Sequence, residues 1–245
     1  MKHLLCTFVF LHLCILSLFA QTKNGDKFPS FVLVDSIPKV ENFLPAPPDT
    51  ASMNYFNDYV QHQWGKSLRA TPRGQQAIAD AELDDFEAVL GLFADAFGMK
   101  ITKADTPEMY NLLWWGKNDA VNATYRVKKS GMQPRKRPYV QFGEGTLVPE
   151  EEASHVKCSS YPSNHSAAGW GIALLLVELN PANEDAILKR GYEYGQSRVI
   201  AGYHYQSDVD AARLAATAAI ARIHAEPFFQ KQMQKARKEL AKLKR

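Results

Sequence analysis

The stretch SAAGWGIALLLVEL, residues 166–179, is apolar on every side. A helix without a polar face must be covered all round, so this pattern predicts a helix in the middle of a bundle. The alanine-rich stretch from Asp208 to His224 adds apolar residues at helical spacing. Thr106-Pro107-Glu108 and Asn183-Glu184-Asp185 contain the residue types that begin helices. We find no run of alternating strands and no internal repeat, so the sequence predicts a single all-α domain.

The composition sets limits on the class of protein. The 245 residues are 46% hydrophobic and 22% charged, with a formal net charge of +3. This is enough apolar material for a core and excludes an intrinsically disordered chain. The basic tail from Gln230 to Arg245 has no interleaved aromatic residues, which favours a solvated helix face over a nucleic-acid or membrane surface. Because +3 is also a weak charge, we expect no nucleic-acid partner.

Residues 1–20 have the pattern of a secretory signal peptide. Lys2 is followed by a mostly apolar run, and Ala20 precedes a polar segment. A membrane anchor is the alternative, but the apolar run is short for a span and contains His12. Cleavage near Ala20 predicts a periplasmic or secreted protein.

The mature chain is expected to have two parts. Residues 21–50 are rich in proline and predict an extended arm over the surface, and residues 51–245 form the helical domain. Only Cys158 remains after cleavage, so no internal disulfide can form. The longest strongly apolar stretch, residues 167–177, is about half the length of a membrane span. We therefore expect no membrane span in the mature chain.

Three short segments carry groups suited to phosphate. They are KKSGMQPRKRP (residues 128–138), SYPSNHS (160–166) and SRVIAGYHYQSD (197–208). In the third, His204 and Asp208 are four positions apart, which would place them on one face if this segment is helical. A carboxylate bonded to one imidazole nitrogen fixes the tautomer and leaves the other nitrogen free as a nucleophile or base. Arg198 can bind an oxyanion. The alternative is a buried His–Asp pair with a surface arginine.

The other two segments add donors and positive charge. The second stands at the start of the predicted central helix, where unpaired backbone N–H groups favour a phosphate. Ser163 adds a hydroxyl, and His165 could protonate a departing oxygen. An ordinary helix cap formed by Ser163 or Asn164 is the alternative. In the first segment, Arg137 and Lys129 could neutralise a phosphoryl group, although most basic loops are simply solvated.

Together the segments resemble the signature of the superfamily of type 2 phosphatidic acid phosphatases (PAP2) and vanadium haloperoxidases: KxxxxxxRP, PSGH and SRxxxxxHxxxD. The third block matches at every fixed position. Their wider context is similar to the secreted class A non-specific acid phosphatases of bacteria, over nearly all of the mature chain. The resemblance implies a compact helical bundle and hydrolysis of phosphate monoesters with broad specificity. It also implies phosphate transfer to other alcohols and no metal or other cofactor.

The resemblance also implies a role for each site residue. His204 would attack phosphorus to form a phosphohistidine, with Asp208 orienting it. His165 would donate a proton to the leaving alcohol and then activate water. The phosphoryl oxygens would be held by Lys129, Arg137, Ser163, Asn164 and Arg198. A neutral His204 and a protonated His165 are needed together, which suits mildly acidic pH.

This sequence departs from the family pattern at three positions. The motif lysine falls on Ser130, so Lys129 is the preferred substitute and Lys128 the alternative. Asn164 replaces the glycine of PSGH; asparagine tolerates a positive φ better than most residues and keeps the backbone N–H. Ala201 stands where relatives carry a cysteine, so a family-type disulfide is missing.

Two further hypotheses about function remain. A vanadate-dependent haloperoxidase would use the same groups to hold vanadate, although such chains are usually much longer. A phosphate-binding protein with a decayed site is motivated by Ser130 and Asn164. Membrane lipid phosphatases are disfavoured because the mature chain lacks spans. The expected partners are small phosphomonoesters, phosphate or vanadate as site ligands, and further copies of the chain in a homo-oligomer.

Overall fold

The computed structural model describes residues 29–130, 132 and 134–244, and the predicted signal peptide lies outside them. The described residues form eleven α-helices with short 3-10 turns and no β-strand, which confirms the predicted all-α fold. The helices are α1 (Met53–Ser67), α2 (Pro72–Ala79), α3 (Phe86–Gly91), α4 (Ala94–Phe97), α5 (Pro107–Lys129), α6 (Pro138–Phe142), α7 (Glu152–His155), α8 (Asn164–Leu179), α9 (Glu184–Ala201), α10 (Gln206–Ile223) and α11 (Pro227–Leu243). The 3-10 turns are Val34–Ser36, Val40–Asn42, Pro149–Glu151 and Pro181–Asn183.

The predicted apolar helix is α8, and it lies in the centre of the bundle against α5, α9 and α10. Its Ile172, Leu175 and Leu176 side chains are fully buried, and burial of this apolar surface stabilises the fold. α8 and α9 approach closely at Gly169, where an added Cβ would lie 2.1 Å from the ring of Tyr194. This close packing fixes the Tyr194 ring beneath the start of α8.

Both predicted helix starts are confirmed, since α5 begins at Pro107 and α9 at Glu184. The cap predicted for α5 is different from the one observed. The Thr106 hydroxyl donates a hydrogen bond to the Thr102 carbonyl at 2.9 Å and makes no bond to the first turn of α5. Helix α10 starts two residues before the predicted alanine-rich stretch and ends one residue before its end.

The basic tail forms α11, which buries one apolar side against α5. Phe229, Met233, Ala236 and Leu240 lie on the buried side, and the lysine and arginine side chains of this helix are exposed. The prediction of a solvated basic helix face is therefore confirmed. Of the described helices, none combines the length and the apolar character needed to cross a bilayer.

The proline-rich segment packs into the core from Phe31 onward. Phe31, Ile37 and Val40 are buried. The Phe31 ring lies 5.5 Å from the ring of Trp115 and 5.1 Å from that of Phe229, measured between centroids. The proline content of this segment predicts an irregular backbone. It does not predict that the apolar side chains of the segment enter the core.

Helix α5 also holds this segment through buried polar groups. The backbone N–H groups of Phe31 and Val32 donate to the Asp119 carboxylate at 2.8 and 3.4 Å. The Asn118 side-chain amide donates to the Pro29 carbonyl at 2.7 Å. Because Asp119 is completely buried, its protonation state affects how firmly the segment is held.

Asp119→Asn is expected to reduce the pH dependence of stability. Burial raises the pKa of the Asp119 carboxyl from its ordinary 3.8 to about 7. The folded state then binds this proton more tightly than the unfolded state, so the contribution of Asp119 to stability falls as pH rises. The change is about 2 kcal/mol between pH 5 and pH 7. Urea unfolding of both proteins across this range measures it, and an identical pH dependence in the variant would contradict the expectation.

Candidate active site

A cavity of about 810 Å³ opens where the start of α8 meets the ends of α5 and α9. All three phosphate-suited segments reach it. They contribute Lys128, Arg137, Asn164, His165, Arg198 and His204 to its wall. The cavity is also lined by four acidic residues, Glu82, Asp84, Glu150 and Glu151. The structure thus gathers cations and carboxylates from segments that are far apart in the sequence, since Glu82 and His204 are 122 positions apart.

His204 lies in the turn between α9 and α10, so it does not share a helix face with Asp208 as the four-residue spacing would allow. Its backbone N–H donates to the Arg198 carbonyl at 3.2 Å, and Gly202 makes the turn with a φ of +91°. The imidazole Nδ1 is 3.5 Å from Oδ2 of Asp208, and Nε2 accepts from Nη1 of Arg137 at 3.0 Å. An arginine only donates, so Nε2 carries the lone pair and Nδ1 carries the proton. Burial and the nearby Arg137 lower the pKa of His204 well below 6.5.

Asp208 is held from several directions at the start of α10. Its Oδ2 accepts from the Tyr205 backbone N–H at 2.9 Å and from the Ser160 hydroxyl at 2.5 Å. Its Oδ1 accepts from Nη1 of Arg135 at 2.7 Å. Burial opposes ionisation, but the bonds to His204, Arg135 and Ser160 hold the pKa of Asp208 well below its ordinary value. A fixed, ionised carboxylate therefore stands behind the His204 imidazole.

Arg198 is a buried cation with free donors. Its side chain is 2% exposed, and the guanidinium lies 4.4 Å from the ring centroid of Tyr203. Nη2 is 3.5 Å from a carboxylate oxygen of Glu151. Nε and Nη1 have no hydrogen-bond partner among the described residues. Buried donors of this kind are rare, and in a cavity they indicate a place for an anion.

Arg137 stands next to Arg198 in the same wall. Its Nε donates to the His155 carbonyl at 3.1 Å, and its Nη1 donates to the Tyr203 carbonyl at 3.2 Å. Burial and the charge of Arg198 lower the pKa of Arg137. Two buried guanidinium groups that repel each other are stabilised by an anion between them.

Ser163 is the N-cap of α8, as the alternative of an ordinary helix cap predicts. Its Oγ accepts from the Ser166 backbone N–H at 3.2 Å, and its own N–H donates to the Asp208 carbonyl at 3.1 Å. Ser163 is fully buried and does not line the cavity, so its direct phosphate contact stays a prediction. Asn164 does line the cavity, and its Oδ1 accepts from the Thr124 hydroxyl at 2.8 Å. No described residue other than glycine has a positive φ, so asparagine meets no backbone strain here.

His165 is oriented by contacts on two sides. Its Nε2 donates to the Asp80 carbonyl at 2.6 Å, which leaves Nδ1 as the free nitrogen. Its ring stacks on Tyr194 with centroids 4.5 Å apart and planes 14° apart. Burial, Arg198 and His204 lower its pKa well below 6.5. The packing of α8 on α9 therefore fixes this imidazole in the cavity wall.

The structure does not bring Lys129 to the cavity. Its side chain is exposed, and the neighbouring Lys128 lines the cavity instead. The Lys128 ammonium donates to the Ser159 carbonyl at 2.6 Å, and burial together with Arg137 lowers its pKa to about 8. Both lysines belong to α5, where consecutive residues point about 100° apart, so only one of them can face the site. We therefore replace Lys129 by Lys128 in the proposed site.

Sequence reasoning missed the residues behind Asp208. Arg135 belongs to the first segment, but nothing in its spacing distinguishes it from the basic residues around it. Asp58 on α1 contacts Arg135 and accepts from the Ser207 N–H, 149 positions along the chain. Asp58 lies in a helix with few buried residues, so the sequence around it does not mark it as a site residue. His155 has no partner at a useful spacing in the sequence, yet its carbonyl accepts from Arg137 and it lines the cavity.

Comparison with known proteins agrees with this geometry. A family model described as the PAP2 superfamily matches residues 120–231. A non-specific acid phosphatase of Providencia stuartii is 48% identical over 82% of this chain and 81% of its own length. The non-specific acid phosphatase of Salmonella typhimurium is 40% identical, over 81% and 78% of the two chains. An acid phosphatase of Zymomonas mobilis is 34% identical, over 82% and 75%.

The chain therefore belongs to the PAP2 superfamily. The all-α bundle and the cavity lined by His204, His165 and Arg198 fit this assignment. Within the superfamily its curated relatives are acid phosphatases, and the chain is an enzyme of that class, a hydrolase of phosphate monoesters.

Proposed function

We propose that this acid phosphatase transfers the phosphoryl group of small monoesters first to Nε2 of His204 and then to water. The observation that carries the proposal is the pair of unpartnered donors on Arg198, which share a cavity with His204. A buried donor without a partner costs about 1–3 kcal/mol, and two oxygens of one phosphoryl group would satisfy both donors.

The phosphoryl group would be held by cations and by the start of α8. Arg198, Arg137 and Lys128 line the cavity and can share the negative charge of the phosphoryl group. The first turn of α8, from Asn164, offers backbone N–H groups and the positive end of the helix dipole. Phosphoryl transfer depends mainly on positioning and charge stabilisation, and these residues supply both.

In the first step, the Nε2 lone pair of His204 attacks phosphorus. The P–O bond to the alcohol breaks, and the departing oxygen takes a proton from Nδ1 of His165. The imidazole of His204 becomes positively charged, and Asp208 stabilises that charge from the Nδ1 side. Arg137 must release Nε2 for the attack, and the incoming phosphoryl oxygens give its guanidinium a new partner.

In the second step, a water molecule attacks the phosphorus of phosphohistidine. Nδ1 of His165 takes one proton from this water, the P–N bond breaks, and its electron pair returns to Nε2 of His204. Inorganic phosphate leaves, and His165 again holds the proton that the next leaving alcohol needs.

The two histidines require opposite protonation states, but their surroundings lower the pKa of both. Burial and Arg137 keep His204 neutral, as a nucleophile must be. Burial and the charge of Arg198 lower the pKa of His165. A bound phosphoryl dianion offsets the Arg198 charge, so substrate binding raises the pKa of His165. Because protonation of His165 still requires a supply of protons, hydrolysis is expected to be fastest below neutral pH.

The predicted signal peptide indicates where the enzyme acts. Cleavage near Ala20 would release a periplasmic or secreted enzyme, where small phosphomonoesters from outside the cell can be hydrolysed. The homo-oligomer remains a prediction.

Hydrolysis of p-nitrophenyl phosphate tests the proposed function. We expect phosphate release that persists in EDTA, peaks below neutral pH and is inhibited by vanadate, which would occupy the phosphoryl site. Loss of activity in EDTA would contradict the metal-free mechanism. Oxidation of halide by hydrogen peroxide in the presence of vanadate and the protein would favour the haloperoxidase alternative, and phosphate binding without turnover would favour a decayed site.

A matched pair of variants in the same assay tests the position of the lysine. Lys128→Gln should lower kcat/KM about 10- to 100-fold, because it removes a buried cation from the cavity wall. Lys129→Gln removes the same charge one residue away on the exposed side of α5 and should stay within about twofold of wild type. A larger loss in Lys129→Gln would restore the sequence-based assignment.

A further inference from the structure

We infer that Arg135 and Asp58 form a positioning pair that sets the orientation and effective charge of Asp208, and through it the basicity of His204. Neither residue lines the cavity that holds His204. The inference rests on the proposed role of His204 as the nucleophile. It goes beyond that role, because it assigns control of the nucleophile to two residues that do not touch the substrate.

The contacts join three parts of the chain behind Asp208. Arg135 donates from Nη1 to Asp208 at 2.7 Å and from Nη2 to Asp58 at 2.6 Å. Asp58, on α1, accepts from the backbone N–H of Ser207 at 2.8 Å and from its hydroxyl at 2.6 Å. The Arg135 guanidinium also stacks 3.8 Å from the ring centroid of Tyr205. The group has little freedom to move, so it can fix the Asp208 carboxylate.

The charge balance of this group is unusual. Asp58 and Asp208 are both completely buried, and they share the single guanidinium of Arg135. Each carboxylate therefore receives part of one positive charge. The more of that charge Asp208 receives, the less negative potential remains for the His204 imidazole. Asp58 competes with Asp208 for Arg135 and so keeps Asp208 available to His204.

Other charged groups also face His204, and the test must hold them constant. Arg137 contacts its Nε2, Arg198 approaches from α9 and His165 from α8. Lys128, Glu151 and Cys158 line the same cavity at greater distance. None of these is changed by substitution at Arg135 or Asp58, so a change in His204 would come through Asp208.

Two substitutions should shift the titration of His204 in opposite directions. Arg135→Gln removes the positive charge from Asp208, so the pKa of His204 should rise by about one unit. Asp58→Asn removes a negative charge, and Arg135 then forms an ion pair with Asp208 only. The pKa of His204 should therefore fall. Nitrogen-15 NMR of the histidine rings in the full mature chain measures both, with the His204 signal identified by its loss in His204→Gln.

A matched control removes an arginine from a different carboxylate. Arg126→Gln breaks the 3.1 Å ion pair with Glu41, away from the cavity, and should leave the His204 titration unchanged. Arg135→Lys should restore part of the wild-type titration, since it returns the charge without the two-pronged geometry. In the phosphatase assay, Arg135→Gln should lose about 10- to 100-fold in kcat and recover partly with lysine.

The titration separates this inference from the proposed function because it needs no turnover. Shifts of the same sign in Arg135→Gln and Asp58→Asn, or no shift in either, would overturn the positioning role. If both variants lost activity and heat stability with an unchanged His204 titration, the pair would be only structural. Opposite shifts in a protein that hydrolyses no monoester would support the pair and overturn the phosphatase mechanism.

Discussion

His204→Ala is expected to abolish phosphate release from p-nitrophenyl phosphate, with a loss of about 10⁴-fold or more in kcat. Among the described residues that line the cavity, the variant removes the one histidine with a buried carboxylate at its Nδ1. It leaves Arg137, Arg198 and the start of α8 in place. The variant should therefore still bind inorganic phosphate, and calorimetric titration with phosphate would show this.

The matched control for His204→Ala is His224→Gln. His224 lies at the end of α10, contacts Glu178 and does not line the cavity, so the variant should keep its activity within about twofold. The wild-type enzyme should also form a phosphoenzyme that is stable in base and lost in acid, and His204→Ala should form none. Retention of a tenth of the wild-type rate by His204→Ala would overturn the nucleophile assignment.

The difference between the two histidines follows from what holds their second nitrogen. His204 has a carboxylate at Nδ1, and a carboxylate stabilises the positive charge that the imidazole carries in phosphohistidine. His165 has a neutral carbonyl, that of Asp80, at Nε2. A carbonyl fixes the ring without strongly favouring its charged form, which suits a group that gives up a proton and takes one back in each cycle.

Part of this site could be predicted from the sequence because it is local. The His204–Asp208 spacing, the start of α8 and the apolar pattern of that helix each depend on neighbours within one or two helical turns. The structure confirms the start of α8 and its burial. His204 and Asp208 do not share a helix face, because His204 lies in the turn before α10, but this turn still places Nδ1 of His204 3.5 Å from Oδ2 of Asp208. The remaining parts depend on distances through space.

Lys128 and Arg135 show why the rest could not be predicted. Choosing between Lys128 and Lys129 needs the rotation of α5 relative to the cavity, and counting residues along a motif does not supply that angle. Arg135 matters only because Asp58 from α1 meets it behind Asp208. Likewise, the proline content of residues 21–50 says nothing of the contact between Phe31 and Trp115. Each case is a tertiary contact between segments that are far apart in sequence.

His165→Gln is expected to lower the steady-state rate about 10²- to 10⁴-fold and to change which step is slow. With p-nitrophenyl phosphate, the leaving group departs without much help from an acid, so His204 can still be phosphorylated. Without the base at residue 165, water attacks the phosphohistidine slowly. The variant should therefore release about one equivalent of p-nitrophenol per active site in a burst and accumulate phosphoenzyme.

With ethyl phosphate, whose alcohol must be protonated as it leaves, the same variant should show no burst. This contrast separates a proton donor from a residue that merely shapes the cavity, because misplacement of His204 would suppress the burst with both substrates. Glutamine keeps an amide that can donate to the Asp80 carbonyl. The free energy of unfolding of the variant would show whether loss of the ring stacking on Tyr194 destabilises the fold. A burst with both substrates would assign the leaving-group proton to another donor. Normal turnover of both would remove His165 from the mechanism.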